Sequence, residues 1–138
     1  MSYRDTGSGS VLEQMVMPAL ERGGYSCATQ ARVGERPNGR RHIVDVLARK
    51  DGVAILVSLK WQEVSGTAEH KIPFELMCLA DAVRAGYGVR GVIVLGGDGW
   101  TLRDYYTSGK LGEHLVYASL VEVLKLETFI KRANRGLL

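Results

Sequence analysis

Ile43-Val44-Asp45-Val46-Leu47-Ala48-Arg49-Lys50-Asp51-Gly52-Val53-Ala54-Ile55-Leu56-Val57-Ser58-Leu59-Lys60 is the stretch that decides how this chain folds. Two apolar runs rich in β-branched residues flank Asp51-Gly52. An Asp-Gly pair strongly favours a two-residue hairpin turn, because both central positions need positive φ. With these two residues at the turn, Lys50 opposes Val53, Leu47 opposes Leu56 and Asp45 opposes Ser58. Lys60 then lies diagonal to Asp45 on the same face. Leu47 and Leu56 sit deep in the hairpin, and the polar trio Asp45, Ser58 and Lys60 gathers at its open end. A slip of one residue would send every side chain to the opposite face.

On the N-terminal side, residues 1–9 read as a flexible polar tail. Ser10 then opens a helix in which Val11, Leu12, Met15, Val16, Ala19 and Leu20 recur at helical spacing. Pro18 is expected to bend this helix, and Gly23-Gly24 ends it. Tyr25–Thr29 reads as a short strand, followed by a basic, turn-rich stretch.

On the C-terminal side, a helix runs from Thr67 or Ala68 to Ala85, where Pro73 marks either a late start or a kink. Val92–Leu95 reads as a buried strand closed by Gly96-Gly97-Asp98-Gly99. A short helix near 101–108, a strand over His114–Ala118 and a helix over Leu120–Ala133 complete the chain. That order predicts an α/β fold, a mixed sheet with helices on both faces and a C-terminal helix.

The chain has 138 residues, 46% of them hydrophobic and 24% charged, which fits a single domain and excludes a disordered chain or a coiled coil. No run is long and apolar enough to span a bilayer. The first ten residues lack the apolar centre of a signal peptide, so a cytoplasmic protein of a bacterium or a phage-infected cell is expected. Cys27 and Cys78 read as free thiols, and His42, His70 and His114 have no zinc-ligand spacing. A net charge of +3 permits a nucleic-acid partner without demanding one. The glycines at 96, 97 and 99 lack the lysine of a phosphate-binding loop, so they read as a turn.

A carboxylate beside an ammonium on adjacent strands suits a hard cation and a held water. On an exposed strand end, the same pair is a solvated ion pair worth about 0–1 kcal/mol. Spacing alone leaves both readings open.

The residues around the pair favour the first. Gly39–Leu47 followed by Asp51–Gln62 resembles the core hairpin of the PD-(D/E)xK nuclease superfamily, and the order αβββαβ extends the resemblance over roughly residues 10–96. Ser58-Leu59-Lys60-Trp61-Gln62, followed by Ser65–Glu75, is similar to small phage-type members and, in style, to homing endonucleases of this fold. The resemblance implies a restriction-endonuclease-like domain over residues 10–138. It makes Asp45 the metal-binding aspartate and Lys60 the lysine that assists the attacking water. The Leu59 carbonyl becomes a further ligand, and the cofactor Mg²⁺, with Mn²⁺ substituting.

Two positions depart from the family pattern. Val44 stands where a proline is common, and Ser58 stands in place of the second acid. In such members the acid comes from the following helix. Glu75, fifteen residues after Lys60, fits that spacing better than Glu69. Read without the resemblance, Glu75 is a solvated helix charge. The resemblance also makes Glu13 the first-helix glutamate near the metal, although Ser10-Val11-Leu12-Glu13 is equally a capping box. Gln62 continues the face of Ser58 and Lys60 and would orient a water or a phosphate, or else sit as a surface amide.

Arg36, Arg40, Arg41 and His42, with Arg32, would meet a DNA backbone. The implied function is a metal-dependent DNA endonuclease leaving 5′-phosphate and 3′-hydroxyl ends. The alternatives are a Holliday-junction resolvase and, motivated by Ser58, a non-catalytic DNA-binding module. So small a domain leaves little room for sequence readout, so a homodimer or tetramer is expected for a specific double-strand cut, with no membrane partner.

Overall fold

The structure, a computed structural model, describes the backbone from residue 6 to 138 and the side chains from residue 9 onward. α1 (Thr6–Val11) continues through a π-helical segment (Leu12–Val16) into α2 (Met17–Arg22). Then come β1 (Ser26–Glu35), β2 (Arg41–Lys50) and β3 (Val53–Trp61). A 3₁₀ turn (Thr67–Lys71) leads into α3 (Ile72–Arg84) and β4 (Arg90–Gly96). α4 (Arg103–Thr107), β5 (Val121–Lys125) and α5 (Leu126–Asn134) complete the order. The five strands form one sheet in the order β1-β2-β3-β4-β5. β1, β2 and β3 are antiparallel, whereas β3, β4 and β5 run parallel and need the helical crossovers.

The hairpin forms as its turn residues require. Asp51 and Gly52 have φ of 53° and 81°, and pairing runs in the expected register from Lys50↔Val53 to Val46↔Val57. β3 is the central strand, and residues 54–59 are buried throughout because helices cover both faces. Ile55, Val57 and Leu59 pack with Val16, Leu20 and Phe129 under α2 and α5. Leu56 packs with Val44, Ile72, Leu76 and Leu79 under α3.

Four sequence expectations change. The helix starts at Thr6 rather than Ser10, so residues 6–9 of the expected tail are helical, and residues 1–5 lie outside the described residues. Pro18 falls in the first turn of α2, directly after the π-helical segment. The Met17 N–H reaches the Leu12 carbonyl five residues back, and this wider turn accommodates the donor that proline lacks.

β1 extends to Glu35 rather than stopping at Thr29. Its alternation shifts at Gln30, whose φ is 50°: Cys27 packs on the α2–α5 side, and Ala31 and Val33 on the α3 side. Pro73 marks a late helix start, sitting in the first turn of α3 where its missing N–H costs nothing.

The last strand is Val121–Lys125, not His114–Ala118, and the last helix starts at Leu126, not Leu120. Five residues with Val121 and Val123 buried and Glu122 exposed fit either period, and pairing with β4 decides for a strand. Among the described residues no helix is long and apolar enough to cross a membrane.

The Gly96–Gly99 turn packs directly on the chain leaving β3. Gly97 has φ of 90°, and a Cβ there would run into the Gln62 carbonyl. Gly39 has a similar φ of 83° and open space. Both Gly97→Ala and Gly39→Ala should meet the conformational cost of about 1–3 kcal/mol, with Gly97→Ala losing clearly more in urea denaturation. Equal losses would show that the contact with Gln62 is readily relaxed.

Candidate functional site

The site begins where β2 leaves β3. Strand pairing stops at Val46↔Val57, so the Leu59 N–H on the central strand loses its backbone partner. Asp45 Oδ2 takes that N–H at 2.6 Å. The N–H and C=O of a strand residue point to the same side, so the Leu59 carbonyl faces the same gap. The ladder thus ends one step short of the expected Asp45–Ser58 pair, and the Asp45 side chain turns to the next residue, Leu59. Ser58 is buried and in register with Ile93 of β4.

α3 supplies the second carboxylate. Glu75 lies in its first turn, where the helix dipole favours an anion, and is only 3% exposed. Its Oε1 accepts from Arg36 Nη1 at 2.9 Å and lies 4.0 Å from Lys60 Nζ. Its Oε2 lies 3.3 Å from His42 Nε2. Burial alone would raise the Glu75 carboxyl. The His42 hydrogen bond, the Lys60 charge and the Arg36 contact outweigh it and hold the group at about 2.

Asp45 goes the other way. Burial lifts its proton affinity, and the neighbouring charge of Glu75 adds to the rise. The Leu59 N–H, the Lys60 ammonium and Gln30 oppose it without winning.

His42 corrects an expectation. Rather than meeting a phosphate at the surface, it is 0% exposed and faces Glu75. Its Nδ1 is buried without a partner, so its one polar contact is the Nε2–Glu75 carboxylate pair. Strand alternation carried the signal, since His42 shares the parity of buried Val44. Arg36 also turns inward. Arg40 and Arg41 remain exposed on the hairpin, and Arg32 is exposed and pairs with Glu35.

Gln62 and Glu69 belong to a different cluster. Glu69 accepts from Leu102 N at 2.6 Å, Thr101 N at 3.0 Å, Thr101 Oγ1 at 2.8 Å and Gln62 Nε2 at 3.3 Å. Gln62 Nε2 also donates to the Gly99 carbonyl at 2.8 Å. Gln62 is thus buried and engaged as a brace, not presented to a water or a phosphate. Burial would raise the Glu69 carboxyl, but the Thr101 N–H and hydroxyl, the Leu102 N–H and Gln62 together lower it. Glu13 is exposed on the layer opposite α3. Ser10 lies inside α1, so the pair forms no capping box.

Among the described residues no group of three or more His, Cys, Asp or Glu side chains is placed to hold a metal ion. Two carboxylates and a backbone carbonyl, all hard oxygen donors, suit Mg²⁺, which keeps much of its shell as water. Asp45 and Glu75 also repel one another, which adds to the burial that raises the Asp45 carboxyl. The residues present therefore fit such an ion.

The mixed sheet, its hairpin opening at Asp45 and the helix after β3 define the restriction-endonuclease-like architecture. Residues 4–137 match the family described as PD-(D/E)XK nuclease superfamily domain, and the chain belongs to that superfamily. A protein of unknown function, AF1548, superposes with a TM-score of 0.52 at 16% identity, covering 80% of this chain and 54% of its own. A repair endonuclease from Pyrococcus abyssi gives a TM-score of 0.45 at 21% identity, covering 91% of this chain and 48% of its own. The chain spans about half the length of each. Comparison with curated proteins finds no match.

The depressed Glu75 carboxyl makes a pH prediction. A carboxylate favoured by the fold contributes stability above its unfolded value of about 4.3, and that stability is lost as pH falls towards about 2. Glu75→Gln should be less stable than wild type at pH 7, and the gap should narrow between about pH 4.5 and 2 in urea titrations. A gap independent of pH would show that the Glu75 charge contributes nothing to folding.

Proposed function

We propose that this domain is a Mg²⁺-dependent endodeoxyribonuclease in which Asp45, Glu75 and the Leu59 carbonyl hold the metal and Lys60 assists the attacking water. The observation that carries this reading is the meeting of Lys60 Nζ with Glu75 Oε1 at 4.0 Å, beside the gap where Asp45 stands. Residues from β2, β3 and α3 converge there.

The divalent cation, when bound, would supply Lewis-acid polarisation of a phosphate and lower the pKa of a coordinated water. The chain does the rest. Lys60 presents an ammonium with up to three donors, able to hold a water in line with a phosphodiester and to stabilise developing charge. Asp45 and Glu75 supply anionic oxygens from two different elements, fixing the position between sheet and helix. Ser58, in the usual acid position, is buried and leaves that role to Glu75.

Arg40 and Arg41, exposed on the adjoining hairpin, would track the phosphate backbone. Gln62 acts at one remove, by bracing the chain after Lys60. Cutting both strands at one site would take two copies of the chain.

The test is incubation of supercoiled plasmid and of a four-way junction with the protein in Mg²⁺, Mn²⁺ or EDTA. Cleavage should require metal and fall by about 100-fold or more in Lys60→Ala. Junction cleavage far above plasmid cleavage would assign branched DNA as substrate. Wild-type activity in Lys60→Ala would overturn the reading, and absence of cleavage in every condition would point to a binding module.

Asp45→Asn separates chemistry from folding. The fold raises the Asp45 carboxyl, so it favours the protonated acid: that contribution to stability is complete below the unfolded pKa and is lost as pH rises through the folded one. At pH 7 the amide variant should be inactive yet at least as stable as wild type in urea. A large loss of stability would mean that the Leu59 hydrogen bond needs the charge.

A further inference from the structure

Arg36 is the feature of the site that the reaction does not require. Its backbone is fixed: the Arg36 N–H donates to the Arg40 carbonyl at 2.7 Å, and the Arg36 carbonyl accepts from Gly39 N at 2.8 Å. Its side chain is 23% exposed and lies 5.9 Å over the Phe74 ring, with Nη1 on Glu75 Oε1. The same hairpin carries Arg40 and Arg41 into solvent.

Charge counting defines the problem. Asp45 and Glu75 bring two negative charges, and Lys60 and Arg36 bring two positive ones. The free site is therefore already balanced. A divalent cation added to it would leave an uncompensated double positive charge in a partly buried place, which is costly. Two events would relieve this together: entry of a phosphate and departure of Arg36 from Glu75. A guanidinium matches a phosphate through the same fork of donors that it offers a carboxylate.

We propose that Arg36 is a substrate-sensing residue, its guanidinium covering Glu75 in the free protein and passing to a nucleic-acid phosphate as substrate enters, which opens Glu75 to the metal. The inference rests on the nuclease reading above and adds that metal and nucleic acid bind with positive coupling. By linkage, each must then tighten the other by the same factor. A purely structural role for Arg36, clamping α3 to the hairpin, makes the opposite prediction, since losing the clamp would loosen Glu75 and weaken metal binding.

The test follows binding of Mn²⁺ by the electron paramagnetic resonance signal of the free ion, so no cleavage is needed. Arg36→Met keeps an apolar stem over Phe74 and removes the charge. Without nucleic acid it should bind Mn²⁺ about tenfold or more tightly than wild type. A short phosphorothioate duplex should tighten Mn²⁺ binding to wild type by a comparable factor and leave Arg36→Met nearly unchanged. Arg36→Lys, which keeps the charge, should bind Mn²⁺ as weakly as wild type. Thermal melts confirm that each variant is folded.

Equal or weaker Mn²⁺ binding by folded Arg36→Met, with wild type still binding through Asp45, would overturn the inference and leave the nuclease reading intact. Absence of Mn²⁺ binding in every variant, with and without the duplex, would overturn both.

Discussion

A backbone N–H on the central strand of a covered sheet must have a partner, and Leu59 loses its own when β2 turns away. Leaving such a donor bare would cost about 1–3 kcal/mol. The Asp45 carboxylate takes the place of the missing strand. That substitution creates the gap, turns the Leu59 carbonyl towards it and leaves Lys60 facing α3. The face of β2 also changes at Asp45: Val46 and Ala48 pack on the α2–α5 side, and Val44 and His42 before it on the α3 side. The departure that ends the strand ladder thus builds the floor of the site.

The domain buries two carboxylates near the end of β3 and satisfies them by different means. Glu69 is held by backbone N–H groups, a hydroxyl and an amide, none of them charged. Glu75 is held partly by cations, one from the hairpin and one from β3. Fixed dipoles cannot leave, so Glu69 is committed to joining β3 to the α4 turn. Side-chain cations can move, so Glu75 stays open to exchange. The two residues are only six apart in sequence, yet one is tied by fixed dipoles and the other by side-chain cations.

Much of the fold was legible because its decisive signals are local. Asp51-Gly52 fixed the turn, the turn fixed the register as far as Val46↔Val57, and Pro73 marked the start of α3. Reading stopped where distant contacts decide. Val121–Lys125 is a strand because β4 lies beside it, which no window of five residues contains. The grouping of Asp45, Lys60 and Glu75 followed from the hairpin and a family spacing. The inward turn of Arg36 depends on how α3 docks across the sheet; for His42 the strand alternation carried the signal, and the basic composition of the segment pointed to solvent instead. Gln62 misled for a similar reason: its strand parity matches Lys60, but the Glu69 carboxylate claims it.

The bond from Leu59 to Asp45 also has a spectroscopic consequence. Most amides in a sheet interior report only on neighbouring carbonyls, whose charge never changes. This one is bonded to an ionisable acceptor at 2.6 Å, and such bonds are shorter and stronger when the acceptor is charged. The Leu59 amide proton is therefore a resident reporter in the middle of the sheet. Its resonance would register the ionisation of Asp45, and any cation that draws on that carboxylate, without a label or a substrate.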